Sequence, residues 1–182
     1  MKLLMLGAAL VALLAIAPTA AGGGSPAFHD HGTDAGVDNN FCGTGETVEF
    51  EGRFNVTGWI GETGGDPEQE LRVRFNFRFT LTNPETGAAV VDSGAGLVTN
   101  EIIEGLESGP HTHLFVESGL RAKLQLAKGR VLTHDAGILI YTVSFDADDN
   151  FTGLEVIKVG GPHPAFESDV WCDAATEALG IS

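Results

Sequence analysis

Leu71-Arg72-Val73-Arg74-Phe75-Asn76-Phe77-Arg78-Phe79-Thr80-Leu81-Thr82 decides the fold class. Val73, Phe75, Phe77, Phe79 and Leu81 share one parity, while Arg72, Arg74, Asn76, Arg78 and Thr80 take the other. Successive side chains of a strand point to opposite faces, so this period of two describes a strand and fits no face of a helix. One side of it belongs to a core and the other to water.

The same pattern extends on both sides. In Val48 to Ile60 the apolar residues Val48, Phe50, Phe54, Val56 and Ile60 are in register, opposed by Glu49, Glu51, Arg53, Asn55 and Thr57. Asn83-Pro84-Glu85-Thr86-Gly87 is a turn, because proline presets φ and glycine accepts positive φ. Residues 71–92 therefore form a hairpin. Residues 93–109, rich in glycine and acids, are expected as short strand pieces and loops. His111 to Glu117, Arg121 to Leu126, Ile138 to Phe145 and Phe151 to Val159 are further strands, with Asp146-Ala147-Asp148-Asp149-Asn150 turning the chain between the last two. Only Asp173 to Leu179 has helical character.

Seven or eight strands with short connections and one short C-terminal helix predict an all-β fold. The expected form is a single closed antiparallel β-barrel, with a β-sandwich as the alternative. Glycines inside strands, at Gly52, Gly58, Gly137 and Gly153, suit sharp coiling.

The N-terminus predicts export. Lys2 precedes an apolar run from Leu3 to Ala17, Pro18 breaks it, and small residues follow, so residues 1–21 read as a signal peptide. Residues 22–40, GGGSPAFHDHGTDAGVDNN, have the composition of a flexible leader. The barrel domain is then expected over 41–182. Export favours oxidation, and Cys42 with Cys172 is the only pair available, so one disulfide is expected to close the domain. Ten basic against 25 acidic residues, a net charge of −15, disfavour nucleic acid as a partner. No second long apolar run predicts membrane insertion once the signal is removed.

Gly105-x5-His111-x-His113-x3-Glu117 resembles the first half of a cupin metal motif. On a strand, residues 111, 113 and 117 share a face, so two imidazoles and a carboxylate would converge on a divalent ion, with His134 as a fourth ligand. Leu124 stands where that motif closes with glycine, and Asp135 to Ile140 lacks the second motif's histidine. Leu114 and Val116 occupy the opposite parity. If they face the core, His111, His113 and Glu117 lie in water. That surface placement is the ordinary reading of the pattern. His29-Asp30-His31 falls in the leader, where no scaffold would hold a metal, and Asp146-x-Asp148-Asp149-Asn150 lacks the glycine and glutamate of a calcium loop.

Thr82-Asn83-Pro84-Glu85-Thr86-Gly87, Val131-Leu132-Thr133-His134-Asp135-Ala136-Gly137, Gly161-Pro162-His163-Pro164 and the late Cys172 together resemble a group of small exported actinobacterial proteins. The resemblance covers most of residues 41–179 and implies an exported β domain without implying an activity. His163 falls in one of these segments and is expected to pack or cap locally.

Three functions are compatible with this pattern. The leading expectation is a secreted, non-catalytic barrel that binds a small apolar ligand and needs no cofactor. The alternatives are a cupin-like metal-dependent enzyme using His111, His113, Glu117 and His134, and an envelope-associated interaction module presenting its acidic face and the Arg72, Arg74, Arg78 row.

Overall fold

Seven strands follow one another in sequence and in space. The computed structural model describes residues 28–60, 70–105, 109–163 and 169–181, and the expected signal peptide lies outside them. The strands are β1 (Phe28–Asp38), β2 (Val48–Ile60), β3 (Glu70–Thr82), β4 (Ala89–Gly105), β5 (His111–Leu126), β6 (Val131–Phe145) and β7 (Phe151–Gly160), followed by helix α1 (Val170–Leu179). Every strand pairs antiparallel with its neighbours in the order β1-β2-β3-β4-β5-β6-β7. The hairpin read from residues 71–92 is present, with Phe79 opposite Asp92 and Thr82 opposite Ala89.

Order begins earlier than the composition implies. Residues 28–38, expected within a flexible leader, form β1 and pair with β2 from Phe28↔Gly58 to Asp38↔Val48. This strand has few large side chains of its own. Its glycines instead receive the rings of β2, with Phe54 against Gly32 and Phe50 against Gly36. The partner imposes the strand, which is how tertiary context overrides β-propensity. Residues 93–105 likewise belong to one continuous strand, because β4 is held on both sides. The two pieces expected at 111–117 and 121–126 are one strand carrying a bulge between Leu120 and Ala122.

The sheet does not close into a barrel. Its two edges are β1 and β7, and no pairing joins them among the described residues. Their inward rows explain the mismatch. On β1 the inward positions alternate Asp30, Gly32, Asp34, Gly36 and Asp38, as shown by the pairing of Asp30 with Val56 and of Asp38 with Val48. On β7 the inward positions are Leu154, Val156 and Val159, opposite Val143, Tyr141 and Leu139. Closure would bring three carboxylates beside an aliphatic row, which costs free energy unless each charge finds a partner.

The sheet nevertheless buries much of its inner face. Phe75 pairs with Gly96, Gly96 with Gly119 and Gly119 with Gly137, so three glycines run in a row across β4, β5 and β6. Gly119 has φ 116° and Gly137 φ 130°, which side chains rarely adopt. Backbones approach closely along this row and the strands coil over their shared face. Val56, Val73, Phe75, Val98 and Phe115 are buried there, with Phe54, Leu71, Phe77, Tyr141 and Val143 packed around them.

A second cluster fills the other end of the inner face: Phe41, Val48, Val90, Leu124, Ala175 and Leu179. Here α1 lies on the sheet and contributes Ala175 and Leu179, both with 0% exposure. Full burial of a leucine is worth about 1.5–3 kcal/mol. Cys42 and Cys172 form the expected disulfide, with Cα atoms 5.7 Å apart across 130 residues. It ties the start of α1 to the turn before β2. The β3–β4 turn holds the other end, since Asn83 Nδ2 donates to the Leu179 carbonyl at 3.0 Å. No described helix is long and apolar enough to cross a membrane.

Candidate functional site

On β5, His111, His113, Phe115 and Glu117 point to the inner face, alongside Val98 and Asn100 of β4 and Leu139, Tyr141 and Phe145 of β6. His111 is 6% and Glu117 8% exposed. The surface placement expected for these residues is therefore wrong, and Leu114 and Val116 are the outward pair. The bulge at Leu120/Ala122 is the reason. It switches the inward parity of β5 from the odd positions up to Glu117 to the even position Leu124, which has 0% exposure. A bulge inserts one unpaired residue and resets the alternation.

The inward side chains stack into a continuous file. Ring centroids lie 5.3 Å apart for Phe145 and His111, 4.9 Å for His111 and His113, 6.0 Å for His113 and Phe115, and 5.1 Å for Phe115 and Tyr141. Both imidazoles are anchored through Nδ1. His111 Nδ1 donates to the Gly109 carbonyl and His113 Nδ1 to Asn100 Oδ1, each at 2.7 Å. Each Nε2 is then left with a lone pair. Burial holds the His113 pKa below its usual value, the neighbouring His111 lowers it further, and Asp149 opposes the shift. A neutral, accepting imidazole is the form this environment favours.

Glu117 ends the file. Tyr141 donates its hydroxyl to Glu117 Oε1 at 2.6 Å, and Arg121 Nε pairs with Oε2 at 2.6 Å. Burial raises the Tyr141 pKa well above the ordinary phenol range, and the facing Glu117 charge adds to the shift. Glu117 is thus occupied by two donors, a role for a positioned carboxylate rather than a free base.

The four expected metal ligands are not assembled. His111 and His113 adjoin, Glu117 is engaged by Tyr141 and Arg121, and the exposed His134 pairs across from Lys123 near the far end of β5. Among the described residues no group of three or more His, Cys, Asp or Glu side chains is placed to hold a metal ion. His29 and His31 sit on β1 with rings 5.1 Å apart, on a strand rather than a leader. Asp146 accepts hydrogen bonds from the backbone of Asp148 and Asn150, which makes its segment a turn. These bonds, with that from the Asn150 side chain, hold the Asp146 pKa below the usual carboxylate value.

The segments around Asn83 and His163 act as fasteners. Asn83 holds the end of α1. His163 is buried, and its Nδ1 donates to Asp135 of β6. The Ala136 amide donates to the Pro162 carbonyl at 2.9 Å, so the chain beyond β7 is pinned to β6.

Sequence reasoning passed over Asn100, Arg121, Tyr141 and Asp92. Tyr141 is the single tyrosine, inside an apolar strand. Asp92 was legible from the hairpin register, which sets it opposite the inward Phe79. It is 6% exposed, and burial raises its pKa to about 7, with Trp171 and the Ser93 backbone lowering it in part. Trp171 influences Asp92 without reaching hydrogen-bond geometry, since Asp92 Oδ1 and Trp171 Nε1 are both buried without a partner. A shallow groove of about 450 Å³ along residues 35–37 and 49–51 and Thr82 lies apart from this file.

No protein-family model, curated protein or solved structure matches the chain.

Proposed function

We propose that this is an exported, non-catalytic binding protein that takes a small amphipathic molecule against the inner face of its sheet. The observation that carries this reading is the anchoring of His111 and His113 through Nδ1, which leaves two imidazole acceptors inside an aromatic file. Tyr141 and Phe145, both partly exposed, offer apolar surface to a ligand body beside the buried Phe115, and the partly exposed His113 accepts through Nε2 from a hydroxyl or N–H at its head. The disulfide accords with life outside the cell.

The test compares 2-naphthol with 2-methoxynaphthalene, which has the same body and no donor. Tyrosine and tryptophan fluorescence follows each titration. The naphthol binds about tenfold more tightly, the worth of roughly one hydrogen bond. His113→Ala removes that preference and Phe115→Ala weakens both ligands. Equal affinity for the two compounds, or no saturable binding of either, overturns the reading. Metal analysis of the same protein tests the cupin-like alternative, which predicts a stoichiometric divalent ion that is lost in His113→Ala.

A further inference from the structure

β7 is an apolar edge with an unused ladder. Phe151 is 56%, Leu154 52%, Ile157 56% and Val159 40% exposed, which places half of the exposed large apolar side chains among the described residues on this one strand. Its hydrogen-bonding edge away from β6 has no strand partner among the described residues. Such an edge is a template for another strand.

The opposite edge is built differently. β1 carries Asp30, Asp34 and Asp38 on its inward row, the inward charges by which edge strands resist pairing. A head-to-tail contact of β7 with β1 would set these carboxylates against Leu154, Val156 and Val159. A β7–β7 contact has no such conflict.

The bulges of β7 fix which register is self-complementary. Lys158 pairs with Ile140 and Val156 with Tyr141, so Ile157 is an extra residue. Because of it, Glu155 and Lys158 point to the same outer face although three positions separate them: their partners Thr142 and Ile140 share one parity. Leu154 and Val159 share the inner face in the same way, opposite Val143 and Leu139. An antiparallel contact about a two-fold axis normal to the sheet keeps outer side chains with outer and inner with inner.

We propose that two copies of this protein pair antiparallel through β7, with Glu155 of each copy opposite Lys158 of the other and Leu154 opposite Val159. In this register Gly153 faces Gly160, and Val156 faces Ile157 across the axis. Two cross-strand ion pairs and two aliphatic pairs form, each of a kind that stabilises antiparallel ladders. The isologous contact closes on itself and gives a dimer rather than a fibre.

Light scattering after size exclusion, over a dilution series of the intact protein, tests the proposal through a charge swap. Wild type is a dimer. Glu155→Lys and Lys158→Glu each place like charges opposite one another twice and weaken the dimer by about tenfold or more. The double variant Glu155→Lys/Lys158→Glu restores opposite charges in the same register and recovers the wild-type dimer. Both side chains are exposed, and circular dichroism confirms that each variant keeps its fold. A monomeric wild type, a dimer indifferent to the single swaps, or a double variant no better than the singles each overturns the proposal.

Discussion

Tyr141 on β6 donates its hydroxyl to Glu117 on β5 at 2.6 Å, and this bond decides what the buried carboxylate does. Arg121 supplies the opposite charge, four residues along the same strand. The three side chains form a satisfied polar group at the base of an aromatic file, so each has its partners and none is free for proton transfer.

Tyr141→Phe leaves Glu117 one donor short and lowers stability by about 1–3 kcal/mol, the usual range for a hydrogen bond to a charged group. Denaturant unfolding measures it. Because Tyr141 is the only tyrosine, an alkaline absorbance titration reads it alone. Its folded pKa lies above the unfolded value of about 10, so the folded state favours the neutral phenol. That contribution is complete below about pH 10 and is lost as the pH rises further. Phenolate absorbance therefore appears together with unfolding rather than before it.

Asp92 sets a pH dependence of the same sign at lower pH. Its folded pKa of about 7 exceeds the ordinary value of 3.8. The folded chain therefore holds a proton that the unfolded chain releases, and stability falls as pH rises from about 4 through about 7. Asp92→Asn removes this dependence and stabilises the protein above pH 7 by up to about 4 kcal/mol. Thermal melts of both proteins at about pH 5 and pH 8 check it; equal slopes would refute the assignment.

Reduction of Cys42–Cys172 frees the start of α1 from the turn before β2. In the chain-entropy treatment a crosslink across 130 residues is worth about 4–5 kcal/mol. The double variant Cys42→Ala/Cys172→Ala loses that amount in urea unfolding. Trp171 fluorescence shifts toward that of a solvated indole, because α1 leaves the Phe41–Leu179 cluster.

Gly96 tests the coiling of the sheet. A Cβ there would lie 2.6 Å from the Ser118 carbonyl oxygen and 2.9 Å from Phe75 Cζ. Backbone cannot yield as a flexible side chain does, so Gly96→Ala costs about 1–3 kcal/mol. Gly153→Ala serves as the control, since nothing lies within 4 Å of its added methyl.

Much of the strand framework was legible because large apolar residues alternate with polar and charged ones over β2 and β3, and because β6 and β7 are rich in β-branched and aromatic residues around a clear turn. β1 was not, since its regularity is carried by Asp-Gly alternation and its strand form comes from β2. The site was half legible. His111, His113 and Glu117 stand out by residue type, but their direction depends on a bulge that leaves no mark in a row of alternating residues. Asn100, Arg121 and Tyr141 join them only through the pairing of β4, β5 and β6.

The local alternation of residues 71–82 and the turn chemistry of Asn83 to Gly87 were determined by the sequence, because each rests on one residue and its near neighbours, and the disulfide was determined because Cys42 and Cys172 are the only two cysteines. Whether the sheet closes, which way the histidines face and which edge is left open were decided only in three dimensions. Those outcomes depend on bulges, glycine rows and the inward side chains of strands more than a hundred residues apart, and their energies exist only once the strands are side by side.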